Sequence, residues 1–124
     1  MIEFCIILHI IYAWKASVCS TEKEEMVHLH VAEDVSKCIK VFTADGKYIR
    51  QYGGGQLQRP AGVTVDQDGY CLVANRSRNA LCIFDPQGHF IHSVPTPGSA
   101  CGVTLDKEGF VYLVENSSSY MYKY

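Results

Sequence analysis

Residues 60–75 read P-A-G-V-T-V-D-Q-D-G-Y-C-L-V-A-N, and residues 80–91 read A-L-C-I-F-D-P-Q-G-H-F-I. Much of this stretch is written again on either side. Forty positions on, Gly62-Val63-Thr64-Val65-Asp66 returns as Gly102-Val103-Thr104-Leu105-Asp106, Gly69-Tyr70 as Gly109-Phe110, and Phe84 as Tyr124. Forty-two positions back, Val73-Ala74 is Val31-Ala32, Ile83-Phe84 is Val41-Phe42, Gly88 is Gly46, and Phe90-Ile91 is Tyr48-Ile49. A period near forty with several short apolar runs per unit marks a stacked β-repeat. One such unit cannot bury both of its faces alone.

Within the fullest copy, Gly62–Asp66 is a β-branched run entered through Pro60 and predicts a first strand, a. Asp66-Gln67-Asp68-Gly69 predicts a tight turn in which Gly69 supplies the positive φ. Tyr70–Ala74 is strand b, the polar Asn75–Asn79 the next turn, and Ala80–Phe84 strand c. Asp85–Gly88 has Pro and Gly where a turn wants them, and His89–Val94 is strand d. Pro95–Gly98 leads to the next strand a. Four strands joined by short turns make an antiparallel meander. Strands a to c are apolar at nearly every position, so both faces are expected to be buried. A small sheet buried on both faces stacks on copies of itself, and radial stacking is the β-propeller. The expected fold is all-β, with about two and a half four-stranded propeller blades over residues 27–124 forming an incomplete ring.

Phe42–Arg50 (F-T-A-D-G-K-Y-I-R), Tyr52-Gly53, Gln56-Leu57, Pro60–Asp66, Val73-Ala74, Phe84–Gly88 and Gly102–Asp106 carry a more specific signal. They resemble NHL repeats, the six-bladed propellers at the C-terminus of tripartite-motif proteins. The likeness covers residues 27–124, and Tyr120–Tyr124 resembles a final propeller strand. The family follows Val-Ala with Asp and places an Arg just before strand c. Here Glu33, Asn75 and Glu115 stand in the Asp position and Cys38, Ala80 and Tyr120 in the Arg position, so that in-turn ion pair is absent. Two and a half blades do not close a six-bladed ring. The resemblance therefore implies a fragment, a ring closed with another chain, or an open arc. No stretch reads as a RING, B-box or coiled coil, so ubiquitin-ligase activity is not expected from these residues.

A chain of 124 residues with 48% hydrophobic and 19% charged residues suits one globular domain. The net charge of −2 gives no overall pull toward nucleic acid or anionic lipid. Its distribution is uneven. Residues 1–34 carry two lysines against six acids, and residues 35–124 carry nine Lys or Arg against seven acids. Six cysteines would suit a secreted disulfide framework, but Cys38, Cys71, Cys82 and Cys101 fall at non-equivalent repeat positions. They read as reduced apolar fillers of a cytoplasmic sheet. Residues 1–26 form an apolar leader outside the repeat. Phe4–Trp14 is too short to span a bilayer comfortably. Three readings compete for the leader: a signal-peptide core cleaved near Ser20, a β-strand packed on the repeats, or a truncated or misjoined gene start. The first would make the protein secreted; no membrane span is expected.

His28 and His30 have the H-x-H spacing of half a zinc site. The repeat maps them onto Tyr70 and Leu72, which are packing positions, so no metal or cofactor is expected. Strand a offers only Thr64 and Thr104 near a propeller axis, which argues against a catalytic constellation. Gly53-Gly54-Gly55 lacks the Lys and helix of a phosphate loop and reads as a flexible connection.

The meander supplies the candidate site. Successive turns lie at alternate sheet edges, so a–b and c–d turns share one rim and b–c and d–a turns the other. The first rim collects Asp45, Asp66, Asp68, Asp85, Asp106 and Glu108 against Lys47 and Lys107. The second collects Lys37, Arg59, Arg76 and Arg78 against Asp34. Aspartate is common in tight turns for backbone reasons; gathered arginine is not. The basic rim is expected to bind single-stranded RNA or an acidic protein partner, with Tyr52 as a stacking face. Some NHL propellers use a basic face for RNA, so the resemblance implies the same rim. Exposed blade faces imply self-association or completion by missing blades. The competing functions are a secreted or metal-dependent propeller enzyme and an incomplete gene product without independent function.

Overall fold

The computed structural model describes residues 16–23, 26–33, 35–115 and 119–123. The apolar run Phe4–Trp14, Asp34 and Tyr124 lie outside them. The described strands form three antiparallel sheets in chain order. The first holds β1 (Ala16–Lys23), β2 (Met26–Glu33), β3 (Cys38–Thr43) and β4 (Tyr48–Tyr52). The second holds β5 (Pro60–Val65), β6 (Cys71–Asn75), β7 (Ala80–Phe84) and β8 (Phe90–Pro95). The third holds β9 (Ala100–Leu105), β10 (Phe110–Glu115) and β11 (Ser119–Lys123). These are blades of a propeller arranged as an open arc. The strands of the second sheet fall within a residue or two of the sequence reading. The first sheet adds a strand that the repeat does not show: Ala16–Lys23, inside the leader, pairs along β2 from Ala16↔Glu33 to Lys23↔Met26 and takes the strand-a position.

The alternation of side chains along each strand explains the stacking. In the second sheet, Cys71, Val73, Cys82 and Phe84 point toward the first sheet and join Ala32, Ile39, Val41, Tyr52, Leu57 and Val63 in one core. Leu72, Ala74 and Leu81 point the other way and join Ala100, Val111 and Leu113 in a second core. β6 is therefore buried at every residue, while β8, the outermost strand, is exposed at all six. The innermost strands approach most closely where they lack side chains. A Cβ on Gly62 of β5 would stand 3.1 Å from the Gly102 Cα of β9.

The turns follow the predicted chemistry. Gly69 has φ +92, closing Asp66–Gly69 through a 3.1 Å bond from its N–H to the Asp66 carbonyl. Gly53–Gly55, read from sequence as flexible, is instead a closed turn. The N–H groups of Gln56 and Leu57 donate to the Gly53 carbonyl at 3.1 and 3.0 Å, and Leu57 is buried in the first core. Cysteines serve as packing residues: Cys38, Cys71 and Cys82 are buried, and the Cys71 thiol donates to the Gly69 carbonyl at 3.6 Å. Burial pushes the Cys38 and Cys82 thiols above their ordinary pKa.

Candidate nucleic-acid interface

The basic rim is built by backbone hydrogen bonds around one buried amide. Asn75 ends β6 with no exposed surface. Its Oδ1 accepts the N–H groups of Gln58 and Arg59 at 3.1 and 3.3 Å, and its Nδ2 donates to the Gln56 carbonyl at 3.1 Å. One side chain thus pins the β4–β5 connection to the start of the β6–β7 turn. That turn is a single 3-10 helix, Arg76–Arg78, ended by Asn79 in the left-handed region. The Arg76 N–H donates to the Arg59 carbonyl at 2.9 Å, so the two arginines sit on adjoining backbone. The next connection closes on the same place, with Thr96 N–H on the Asn79 carbonyl at 2.8 Å and Ser99 Oγ on the Arg76 carbonyl at 3.1 Å.

Arg59, Arg76 and Arg78 are therefore brought to one rim. Lys37 takes the corresponding turn of the first sheet, exposed and with φ 57. Among the described residues, the guanidinium groups of Arg76 and Arg78 make no hydrogen bond or ion pair. Tyr52 requires a correction. It is only 5% exposed, its hydroxyl lies 3.0 Å from His30 Nδ1, and its ring packs 5.1 Å from that of Phe84. The alternation of β4 turns it into the first core, so it offers no face to a base.

The acidic rim has a different physical origin. Asp66 Oδ1 accepts the N–H groups of Asp68 and Tyr70, both at 2.9 Å. Asp106 does the same for Glu108 and Phe110, and Asp85 for Gln87 and His89. Backbone donors hold the Asp85 and Asp106 carboxyls below their usual range. These aspartates close turns. An open cleft of about 560 Å³ between the Asp66–Gly69 and Asp106–Gly109 turns is a consequence of that packing.

The position where the family places Asp has a shared role. Asn75 is repeated by Glu115, whose Oε1 accepts the Gly98 N–H at 2.9 Å and ties down the β8–β9 connection. In the first sheet the equivalent Glu33 accepts from Ser36 Oγ at 2.6 Å and pairs with Lys40 at 3.1 Å. These partners, Ser36 first, hold the Glu33 carboxyl below its usual range. An ion pair is thus recovered two residues along β3 from Cys38, where the sequence pattern seeks it. His30, half of the H-x-H pair, is buried between the first two sheets. Burial first, then the charge of Arg50, pushes its pKa down to about 4. Among the described residues, no three His, Cys, Asp or Glu side chains are grouped to hold a metal. No described helix is long and apolar enough to cross a membrane.

Sequence reasoning missed Arg50 and the outer crevice. Arg50 lies over the Tyr52 ring at 5.6 Å and donates through Nη2 to the Pro86 carbonyl at 3.1 Å, bridging the first two sheets. Beside β8, the exposed Phe90 and Ser93 face Gly55 and Gln56 across a crevice of about 350 Å³ that Arg78 also lines. Phe90 opens β8 just after the Asp85–Gly88 turn and pairs with Phe84, and its nearness to Gly55 and Gln56 has no signal in the sequence.

No protein-family model matches the chain. Stretches of it match the rat E3 ubiquitin-protein ligase TRIM71 (52% identical over 40 residues, 32% of this chain and 5% of that protein). Others are protein lin-41 of Caenorhabditis elegans (54% over 39 residues, 32% and 3%) and protein brain tumor of Drosophila melanogaster (35% over 54 residues, 44% and 5%). The chain spans about 5% or less of the length of these curated relatives. The matches fall in their NHL-repeat regions, so the chain resembles NHL repeats of tripartite-motif proteins. Among solved structures it is similar to a Xanthomonas campestris gluconolactonase, at 23% identity and TM-score 0.69, over 85% of this chain and 36% of that one. It is also similar to a functionally unknown Desulfotomaculum acetoxidans protein, at 17% and 0.67, over 87% and 37%. Both are propeller-like, and at these identities the likeness carries the fold alone.

Proposed function

We propose that this chain is an interaction module, cytoplasmic rather than secreted, that binds single-stranded RNA through the rim formed by Arg59, Arg76, Arg78 and Lys37. One observation carries the reading. Asp66, Asp85 and Asp106 of the opposite rim are accounted for by the turns their carboxylates close, whereas the Arg76 and Arg78 side chains close nothing, and backbone bonds seat them beside Arg59. Cations grouped in this way bind phosphates without an overall positive charge. The acids lie at the far edge of the sheets, where screening over about 10 Å weakens them. The relatives' ubiquitin-ligase name belongs to far longer proteins, and nothing in this rim performs that chemistry.

Binding of a short single-stranded RNA pool, measured at low and physiological salt, tests the reading. Wild type should bind with strong salt dependence. Replacing Arg59, Arg76 and Arg78 together by Glu should abolish binding, and replacing Asp68 and Glu108, whose carboxylates close no turn, by Lys should not weaken it. Absence of salt-sensitive binding, or an unaffected triple arginine variant, would defeat RNA and make a protein partner the leading reading.

A further inference from the structure

We infer that the crevice beside β8 seats one unstacked base of the RNA strand whose phosphates the arginine rim holds, an inference that rests on the RNA reading above. Its volume, about 350 Å³, lies near the lower end of small-ligand sites, a size for one base and its sugar rather than an extended ligand. Gly55 and Gln56 form one side and Phe90 and Ser93 the other, with Cys82 among the lining residues. Cys82 is 3% exposed and belongs to the first core, so it forms the floor. Phe90 is 44% exposed, and its ring meets Phe84 edge-on at 5.7 Å, which fixes its orientation from below.

The chemistry of the lining selects the occupant. An exposed aromatic is a stacking partner for any base, because every base has a π-face. Ser93 and Gln56 can meet the polar edge of a base. The Asn75 amide, although nearby, is spent on the backbone of the β4–β5 connection. Arg78 joins the crevice to the rim, so a phosphate on the rim and a base in the crevice belong to one nucleotide. An acidic side chain would use Arg78 and leave Phe90 in water. An apolar peptide side chain would cover Phe90 and leave Arg78 without a partner. The aromatic that the sequence assigned to Tyr52 is thereby supplied by Phe90.

The test uses the whole chain and a short random-sequence single-stranded RNA carrying photoreactive thiouridine. Ser93→Trp fills the crevice from an exposed position, and Phe90→Leu keeps an apolar wall but removes the π-face. Each should weaken binding about tenfold, as loss of one stacked base does, while leaving the salt slope unchanged. Wild-type crosslinks should map to the peptide containing Phe90. The triple arginine variant should instead lose the salt-sensitive binding itself. Thermal melting confirms that each variant is folded; if Ser93→Trp does not fold, Phe90→Leu and the crosslink position decide. Wild-type affinity in both folded variants, or crosslinks confined elsewhere, would overturn the crevice and leave the rim standing. A wild type that binds no RNA would overturn both.

Discussion

The second and third sheets are one sequence written forty residues apart, yet the copies are buried differently. Leu72 has no exposed surface, while its counterpart Tyr112 is half-buried; Ala74 is likewise covered, while Val114 is 51% exposed. Thr64 is buried and Thr104 exposed. The near faces agree: Val111 and Leu113 are as buried as Cys71 and Val73. The repeat therefore fixes which residues point to which side. The neighbouring sheet fixes whether that side is dry. This is the behaviour of a quasi-one-dimensional array, whose stability is a sum of blade and junction contributions.

The largest consequence concerns the two far faces. Leu72→Ala should cost about 2–5 kcal/mol, because it empties a site closed on all sides. Val114→Ala should stay within about 0.5 kcal/mol. Denaturant unfolding of both variants measures the contrast. Comparable losses would mean that the far face of the third sheet is covered in solution. Sedimentation would then show whether a second copy covers it, as exposed apolar surface favours.

The first two sheets meet at a junction that titrates. Folded His30, 4% exposed, has its pKa near 4 against an ordinary value of 6.5. Between these values the unfolded chain binds a proton that the folded chain does not. Stability is therefore complete above about pH 6.5 and falls as pH drops toward 4, by up to about 3 kcal/mol. The carboxylates with lowered pKa contribute below their ordinary values near 4, so the upper part of this window belongs to His30. Urea midpoints between pH 7 and 5 should fall in wild type and hold steady in His30→Phe. An equal slope in both would place the titrating group elsewhere.

Much of this contrast is legible in sequence and part is not. Gly69, Gly88 and the apolar run Ala80–Phe84 announce turns and a doubly buried strand because local sterics and hydrophobicity decide them. The period does the rest, placing arginines and aspartates on opposite rims. β1 is not legible, since Ala16–Lys23 shares no motif with β5 or β9 and is recruited by the open edge of β2. Tyr52, at the end of β4, reads as a free stacking face in the sequence; its burial is decided by Phe84 arriving from the next sheet. The crevice at Phe90 needs the β4–β5 loop folded against β8, a juxtaposition separated by more than thirty residues in the chain.

A smaller effect tests the turns that both sheets share. Gly69 at φ +92 is a conformation that strains any β-branched residue, and a Cβ there would also stand 3.2 Å from the Pro86 ring. Gly69→Val should cost about 1–3 kcal/mol, read from the thermal midpoint. An unchanged midpoint would refute the tight turn and, with it, the assignment of Asp66 as its closing residue.

The smallest difference is the sharpest probe of the comparison, because it involves a single carbon atom. Gly62 and Gly102 occupy the same repeat position. A Cβ on Gly62 would meet the Gly102 Cα at 3.1 Å and the Val103 N at 3.3 Å. Both are backbone atoms, which cannot swing aside as a side chain can, so Gly62→Ala should destabilise by about 1–3 kcal/mol. A Cβ on Gly102 would meet nothing within 4 Å, and Gly102 is not among the glycines of positive φ. Gly102→Ala should therefore leave stability unchanged or raise it by about 0.5 kcal/mol, through the reduced entropy of the unfolded chain. Equilibrium unfolding of the two variants gives opposite signs if a glycine is required only where a further sheet packs against it. If Gly102→Ala is as costly as Gly62→Ala, the far side of β9 is occupied in solution, and the third sheet is packed as the second is.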